Sequence, residues 1–329
     1  MRKYELDSKG IPLFVDVVKD MPARQNTSFD SWYVICNFEH EGKQYGFEWH
    51  QQSVKEFFMT VEYLMMDADR SIYSNNAVDM PICEACGHSY EELNVFSPFG
   101  TLTGDRNEMK LNIQCEDGAV DVVLRPRKDV LYNGTCGMLK FLGGDFSYQY
   151  SFPNMDIEGT MTLKGKTIPI TNTTAWFDRQ WGVNKASSDH INAGEGMNKL
   201  AWLWLGMTLE DGNGAVSLWD SYGPEGRNAF ATIMQSNGIQ YNAEAEVTYE
   251  DVWTSAKSGN SYPRAVNFNV PKADLAIRVE FISDDPEFFR EGNPICGCQS
   301  LCKVTGSYKG EALDRCVILE LINDVNGEI

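Results

Sequence analysis

Long apolar runs are missing from this chain. No window of its 329 residues approaches eighteen consecutive apolar side chains, so no segment is a candidate membrane-spanning helix. Basic residues are scarce, with 28 lysines and arginines against 47 acidic side chains and a net charge of −19. That balance disfavours a nucleic-acid backbone or an anionic membrane surface as partner. It leaves a neutral, hydrophobic small molecule open.

The first residues, Met1-Arg2-Lys3-Tyr4-Glu5-Leu6, lack the apolar stretch of a secretory signal. The expected compartment is therefore the cytoplasm, with its thiols reduced. Nine cysteines are an odd number, so a monomer without partners leaves at least one thiol free or bound to metal. A Cys-x-x-Cys knuckle stands at Cys83 and Cys86 with Gly87 behind it, and such a turn aims two thiolates at one ion. A second knuckle is lacking, and Cys296, Cys298 and Cys302 are far away in sequence. Cys83 and Cys86 are thus weak metal candidates, and the expectation is no cofactor and no metal. Helix signals are few, no short repeat is visible and no low-complexity tract interrupts the chain.

Strand patterns fill the space instead. Trp32-Tyr33-Val34-Ile35-Cys36-Asn37-Phe38 and Gln44-Tyr45-Gly46-Phe47-Glu48-Trp49-His50 flank a polar tip, which reads as a hairpin over the five residues Glu39 to Lys43. Tyr45, Phe47 and Trp49 share one face, Glu48 and His50 the other. His50 either lines a cavity or is a structural histidine. Residues 53–68 are apolar without a clean period, consistent with a short helix or a buried strand. From Asp145 to Phe152 the alternation is strict: Phe146, Tyr148, Tyr150 and Phe152 on one side, Asp145, Ser147, Gln149 and Ser151 on the other. Trp202 and Trp204 share a face opposite Leu203, Leu205 and Met207. In the last apolar run, Arg315 to Ile322, Glu320 stands as a lone carboxylate, which must pair, titrate high or point into a cavity.

The length is comfortable for two cores. A polar stretch at 183–199, with Gly194 and Gly196, divides the chain into residues 1–185 and 186–329. The fold class expected is all-β, many short strands with few helices.

The stretch most rich in chemistry is Thr174-Ala175-Trp176-Phe177-Asp178-Arg179-Gln180-Trp181-Gly182. Two of eight tryptophans bracket an acid, a guanidinium and a carboxamide. Indoles beside a carboxyl group can keep it dry and raise its pKa. The plainer alternative is a strand end in which Asp178 and Arg179 pair and brace the junction between halves.

These pieces, in their order, resemble the lipocalin-like hydratase family of carotenoid hydratases, AttH-like proteins and kievitone hydratases. The resemblance is carried by the Trp32-Tyr33 strand with Gly46-Phe47, by Asp145 to Ser151, by Gly159-Thr160-Met161-Thr162 and by Ala175 to Gly182. Trp202-x-Trp204 followed by Asp211-Gly212, and the pair of strands from Gly306 to Glu320, complete it. It implies two lipocalin-like, calycin-like β-barrel domains in tandem and a hydrophobic pocket. It further implies cofactor-independent addition of water to an alkene, with Asp178 as proton donor and Trp176 as the aromatic two residues earlier. Carotenoid hydratases use a histidine on the strand that here reads Tyr148-Gln149-Tyr150, and Leu203 stands where an acid often separates the two tryptophans.

On this reading Tyr148 or Tyr150 orients water for Asp178. Trp176, Trp181, Gln180 and Arg179 bind substrate beside it, and Trp202, Trp204, His50 and Tyr33 complete the binding wall. The substrate expected is a hydrophobic isoprenoid, steroid or phenolic. An isomerase or cyclase using the same acid, and a non-catalytic carrier of lipophilic molecules, are the other readings. Asp178 facing a pocket favours an enzyme. Oligomeric state stays open.

Overall fold

The computed structural model describes residues 13–54, 58–69, 71–127, 130–141, 145–183, 201–209, 212–223, 226–289 and 295–325. Among these the chain is nearly all strand, in two barrel-like sheets. The helical elements described are two three-residue 3-10 turns, Asn133–Thr135 and Pro271–Ala273. No helix among the described residues is long and apolar enough to cross a membrane. The segment expected to join two domains lies, from residue 184 to 200, outside the described residues.

The first sheet has fourteen strands, drawn from residues between Phe29 and Val183; the second has ten, drawn from residues between Ala201 and Ile322. At the centre of the first, the Phe29–His40 strand lies between the Lys43–Val54 and Thr174–Val183 strands, antiparallel to both. The hairpin is tighter than the sequence suggests. Its strands run to His40 and Lys43, so the turn is Glu41-Gly42 alone, both at positive φ (51° and 77°). Two residues of that conformation match the right-handed twist of the flanking strands, which longer polar tips do not require. Lys164-Gly165 and Lys309-Gly310 close two other hairpins in the same way. The aperiodic stretch after Ser53 contains the Phe58–Asp67 strand, whose side chains are buried on both faces nearly throughout. That double burial removes the polar half of the alternation and explains why the sequence leaves helix and strand undecided.

Each sheet curls around its own core. Trp32, Phe47, Trp49 and Phe177 belong to the first, and Leu203, Leu205, Phe268 and Leu319 to the second. A third apolar cluster fills the seam between the halves, where Tyr33, Ile35, Leu64 and Trp176 meet Trp204, Trp219, Leu301 and Ile318. Close approach here depends on a missing side chain. A Cβ on Gly206 would stand 2.8 Å from the Trp176 ring and 2.7 Å from that of Trp204. Polar contacts fasten the same seam: Asn37 Nδ2 donates to the Cys316 carbonyl at 3.0 Å, and Gln240 Nε2 to that of Val130 at 2.7 Å.

Candidate active site

Pleating decides which residues of the Thr174–Val183 strand meet. Trp176 lies in the seam cluster, with Asp178 and Gln180 on its face, while Phe177, Arg179 and Trp181 point to the first core. Cross-strand register then lines up one row on the seam face: Ser151 beside Asp178, Asp178 beside Tyr33, Tyr33 beside His50 and His50 beside Glu62. Glu48, two residues from His50, takes the same face. From the second half, Glu320 points across the seam to within 3.8 Å of His50 Nδ1.

Asp178 is 4% exposed, and its Oδ1 accepts from Trp176 Nε1 at 2.7 Å. Burial raises its pKa to about 7 against the pull of donors on Ser151, Trp176 and Gln149, with the Glu320 charge adding to the rise. Glu320 is likewise raised to about 7 by burial and by Glu62, although His50 and the Trp202 indole, which donates to its Oε2 at 3.0 Å, oppose the shift. Glu48 is wholly buried and rises well above the carboxylate range, through desolvation first and then the charges of Glu320 and Glu62. Two like charges about 4 Å apart repel by about 4 kcal/mol at an effective dielectric of about 20. The seam therefore favours the protonated form of its acids.

His50 is held from both sides. Nδ1 donates to Glu62 Oε2 at 3.0 Å, and Nε2 lies 2.8 Å from the Ser31 hydroxyl. Burial alone would lower its pKa, but the hydrogen bond to Glu62 and the charges of Glu62, Glu320 and Asp178 outweigh that and raise it. Tyr33 stands edge-on between His50 and Trp204, with ring centroids 5.1 and 5.2 Å away. Its hydroxyl is pushed well above the ordinary phenol value, by burial first and then by Glu48, Glu320 and Asp178. Trp176 packs edge-on against Trp204 at 5.8 Å, so three aromatic rings wall the acids.

Of the residues picked from sequence, the structure brings Asp178, Trp176, Tyr33, His50, Trp202 and Trp204 to this seam. Gln180 shares the face further along, donating to Ser147 Oγ at 2.8 Å. Tyr148, Tyr150, Trp181 and Arg179 do not join them. The register sets Tyr148 beside Trp181 and Tyr150 beside Arg179, and all four turn to the first core. Tyr148 stacks on Trp181 at 5.7 Å and Tyr150 leans its hydroxyl toward the Val17 carbonyl at 3.4 Å. Ser151 and Gln149, the small polar residues between the tyrosines, are the ones that act on Asp178. Adjacent strand positions face opposite ways, so Asp178 and Arg179 form no brace either. Arg179 instead pairs with Asp30, is sandwiched between Trp32 and Trp181 at 4.5 and 4.9 Å, and donates to the carbonyls of Asp20, Met21 and Pro22. It is a clamp on the strap that precedes the first strand.

Cys83 and Cys86 oppose each other across a tight turn, their backbones exchanging bonds of 2.8 and 3.2 Å, with Cys83 exposed and Cys86 buried. Sequence reasoning passed over Glu62, hidden in the aperiodic stretch, and gave Glu48 no role. The alternation of Glu48 and His50 on one face was the available signal.

Beyond Trp176 a cleft of about 320 Å³ opens at the seam, bordered by Ile35, Asn37, Thr174, Gly206, Met207 and Cys316. One indole thus touches both the cleft and the buried acid.

Comparison with known proteins fits this architecture. A solved structure of a protein from Nitrosomonas europaea assigned as AttH superposes with a TM-score of 0.79 at 18% identity, covering 96% of this chain and 100% of that one. Kievitone hydratase from Nectria haematococca superposes with the same score at 15% identity, covering 96% and 94%. At such identities the likeness concerns the fold. In sequence the chain is 25% identical over 143 residues to a kievitone hydratase of Fusarium solani subsp. phaseoli, spanning 42% of this chain and only 37% of that relative. The family model described as AttH-like matches residues 14–312, nearly the whole length, and the chain belongs to the AttH-like family.

Proposed function

We propose that the chain is a cofactor-independent hydro-lyase, adding water to or removing it from a C=C bond of a hydrophobic small molecule of the isoprenoid, steroid or phenolic class. The observation that carries this reading is the buried Asp178 carboxyl, raised to about 7 and held by the Trp176 indole against an aromatic wall. A neutral carboxylic acid at neutral pH is what protonation of an alkene carbon demands. The cation that forms on the neighbouring carbon is stabilised by the faces of Trp176, Tyr33 and Trp204, each contributing roughly 0.5–2 kcal/mol in a dry site.

Water then bonds to that carbon and loses a proton to the Asp178 carboxylate. The sum is one water across one double bond, and the acid is restored. Trp176 borders the cleft while Asp178 does not, so on this reading the substrate enters past the Trp176 indole, and the kievitone hydratases among the similar proteins support a hydration over other acid-catalysed steps.

The test is a panel of terpenoid, steroid and phenolic alkenes incubated with the full chain in ¹⁸O-water and followed by mass spectrometry. The expected result is a product heavier by one labelled water, lost with Asp178→Asn. A product that takes up solvent deuterium without oxygen assigns an isomerase or cyclase to the same acid. Binding with no turnover of any ligand assigns a carrier.

A further inference from the structure

We infer that Glu48, His50 and Glu62 form a binding site for one divalent first-row transition ion, buried in the seam between the two halves. The three side chains offer one ligand atom each, all within 4.8 Å of one another, and all three are buried. One edge of this triangle has the spacing of a filled site, and Glu48 must draw in to complete it. Ligand atoms about 2.1 Å from an ion at tetrahedral or octahedral angles stand about 3.0–3.4 Å apart, and His50 Nδ1 is 3.0 Å from Glu62 Oε2.

A second observation points independently to a missing ligand. Glu48 is 0% exposed and forms no ion pair among the described residues; neither of its oxygens has a partner of full hydrogen-bond geometry, and the groups that act on it are the neutral Tyr33 hydroxyl and Gln299 amide, with no cation. Glu320 Oε1, aimed at the same place from the second half 3.8 Å from His50 Nδ1, is also unpartnered. Buried polar oxygens are rarely left so, because each forfeits its hydration without return.

Charge and ligand type narrow the occupant. Two carboxylates and a neutral imidazole leave no net charge around a divalent ion, which suits a buried site. Mixed nitrogen and oxygen donors without thiolate fit Mn²⁺, Fe²⁺ or Zn²⁺ better than a soft ion. The partner of the other ring nitrogen is already in place. With Nδ1 on the metal, Nε2 carries the proton and donates to Ser31 Oγ at 2.8 Å, the arrangement that fixes tautomer and ring in metal-bound histidines. This inference stands apart from the proposed reaction and holds whether or not Asp178 is an acid catalyst.

The probe is Mn²⁺, chosen because the thiol pair at Cys83 and Cys86 is a poor competitor for it. The chelator-stripped full chain is titrated with Mn²⁺ while electron paramagnetic resonance follows the free ion, and thermal unfolding is recorded with and without metal. We expect one saturable equivalent in the wild type and a raised unfolding temperature. Glu48→Gln and Glu62→Gln keep the side-chain shape and take away a carboxylate ligand, so both should fold, as circular dichroism checks. Each should weaken Mn²⁺ binding at least tenfold and abolish the thermal shift, and Cys83→Ser should bind as the wild type does. Absence of saturable binding to the folded wild-type chain up to millimolar Mn²⁺ overturns the inference. So does binding that both glutamine substitutions leave within twofold of wild type.

Discussion

Asp178 and Arg179 are neighbours in sequence, both buried, and both ionised in their usual state. They face opposite sides of one strand and meet opposite treatment. Arg179, with 0% exposure, is surrounded by backbone carbonyls, the Asp30 carboxylate and two indole faces. Asp178 faces fewer donors, the Glu320 charge and an aromatic wall, and its pKa climbs to about 7. A buried charge with every donor placed holds structure together. A buried acid left short of partners is poised to give up or take a proton, which is why such groups mark sites of chemistry. The same contrast holds in the second half, where Asp220 receives both Arg227 and the hydroxyls of Tyr222 and Tyr249, while Glu320 faces the seam with one oxygen unpartnered.

Substitutions should separate the two faces. Arg179→Met leaves Asp30 without its cation, with only the Arg24 amide and the Thr27 hydroxyl, and strands the three strap carbonyls, so a loss of about 3–5 kcal/mol is expected in denaturant unfolding, the usual effect of breaking a buried pair. Arg179→Lys should recover little, because one ammonium cannot replace the planar fork. Asp178→Asn should do the reverse. Turnover should fall by about two to four orders of magnitude, with unfolding free energy within about 1 kcal/mol of wild type.

The pH dependence of stability sharpens the comparison further. Folded pKa values near 7 for Asp178 and Glu320 lie above the ordinary carboxyl values that the unfolded chain has. The folded state therefore binds more protons between those limits. Stability from these groups is full below the unfolded pKa and is lost as pH rises through about 7. In the double variant Asp178→Asn/Glu320→Gln, unfolding curves should show a flatter decline from about pH 4 to about pH 7, by a few kcal/mol.

Trp176→Phe keeps a ring and removes the donor to Asp178 Oδ1. Since that hydrogen bond lowers the pKa, the upper limb of the pH–rate profile should move to higher pH. An unmoved limb would detach Asp178 from the profile. Tyr148→Phe should do least of all. It sits on the Arg179 face, half-buried against Trp181, and turnover should stay within about twofold. A large loss of turnover there would return the tyrosine to the site and break the division.

Much of this was legible in the residues. Alternation separated Trp202 and Trp204 from the leucines between and beyond them, and singled out Glu320 as an acid in an apolar run. The Trp-Phe-Asp-Arg-Gln-Trp-Gly stretch pointed to Asp178. What alternation cannot supply is register between strands distant in sequence. Nothing local says that Ser151, and not Tyr150, lies on the Asp178 face, because that depends on which residues pair across the sheet. Nor does it say that the polar row Ser147, Gln149 and Ser151 is buried, since polar alternation ordinarily signals solvent. Glu62 vanished for the opposite reason, as its strand is covered on both sides. The seam itself is a meeting of two sheets, and only folding both of them brings Glu320 to His50.

The central claim is that Asp178 is a neutral acid near neutral pH. It is tested most directly by infrared difference spectra of the carboxyl C=O stretch, wild type minus Asp178→Asn, from about pH 5 to about pH 9. The account predicts a protonated-acid band in the difference at the acid end that fades with a midpoint at about 7. A difference spectrum showing Asp178 already ionised at about pH 5, as an ordinary aspartate is, would contradict it.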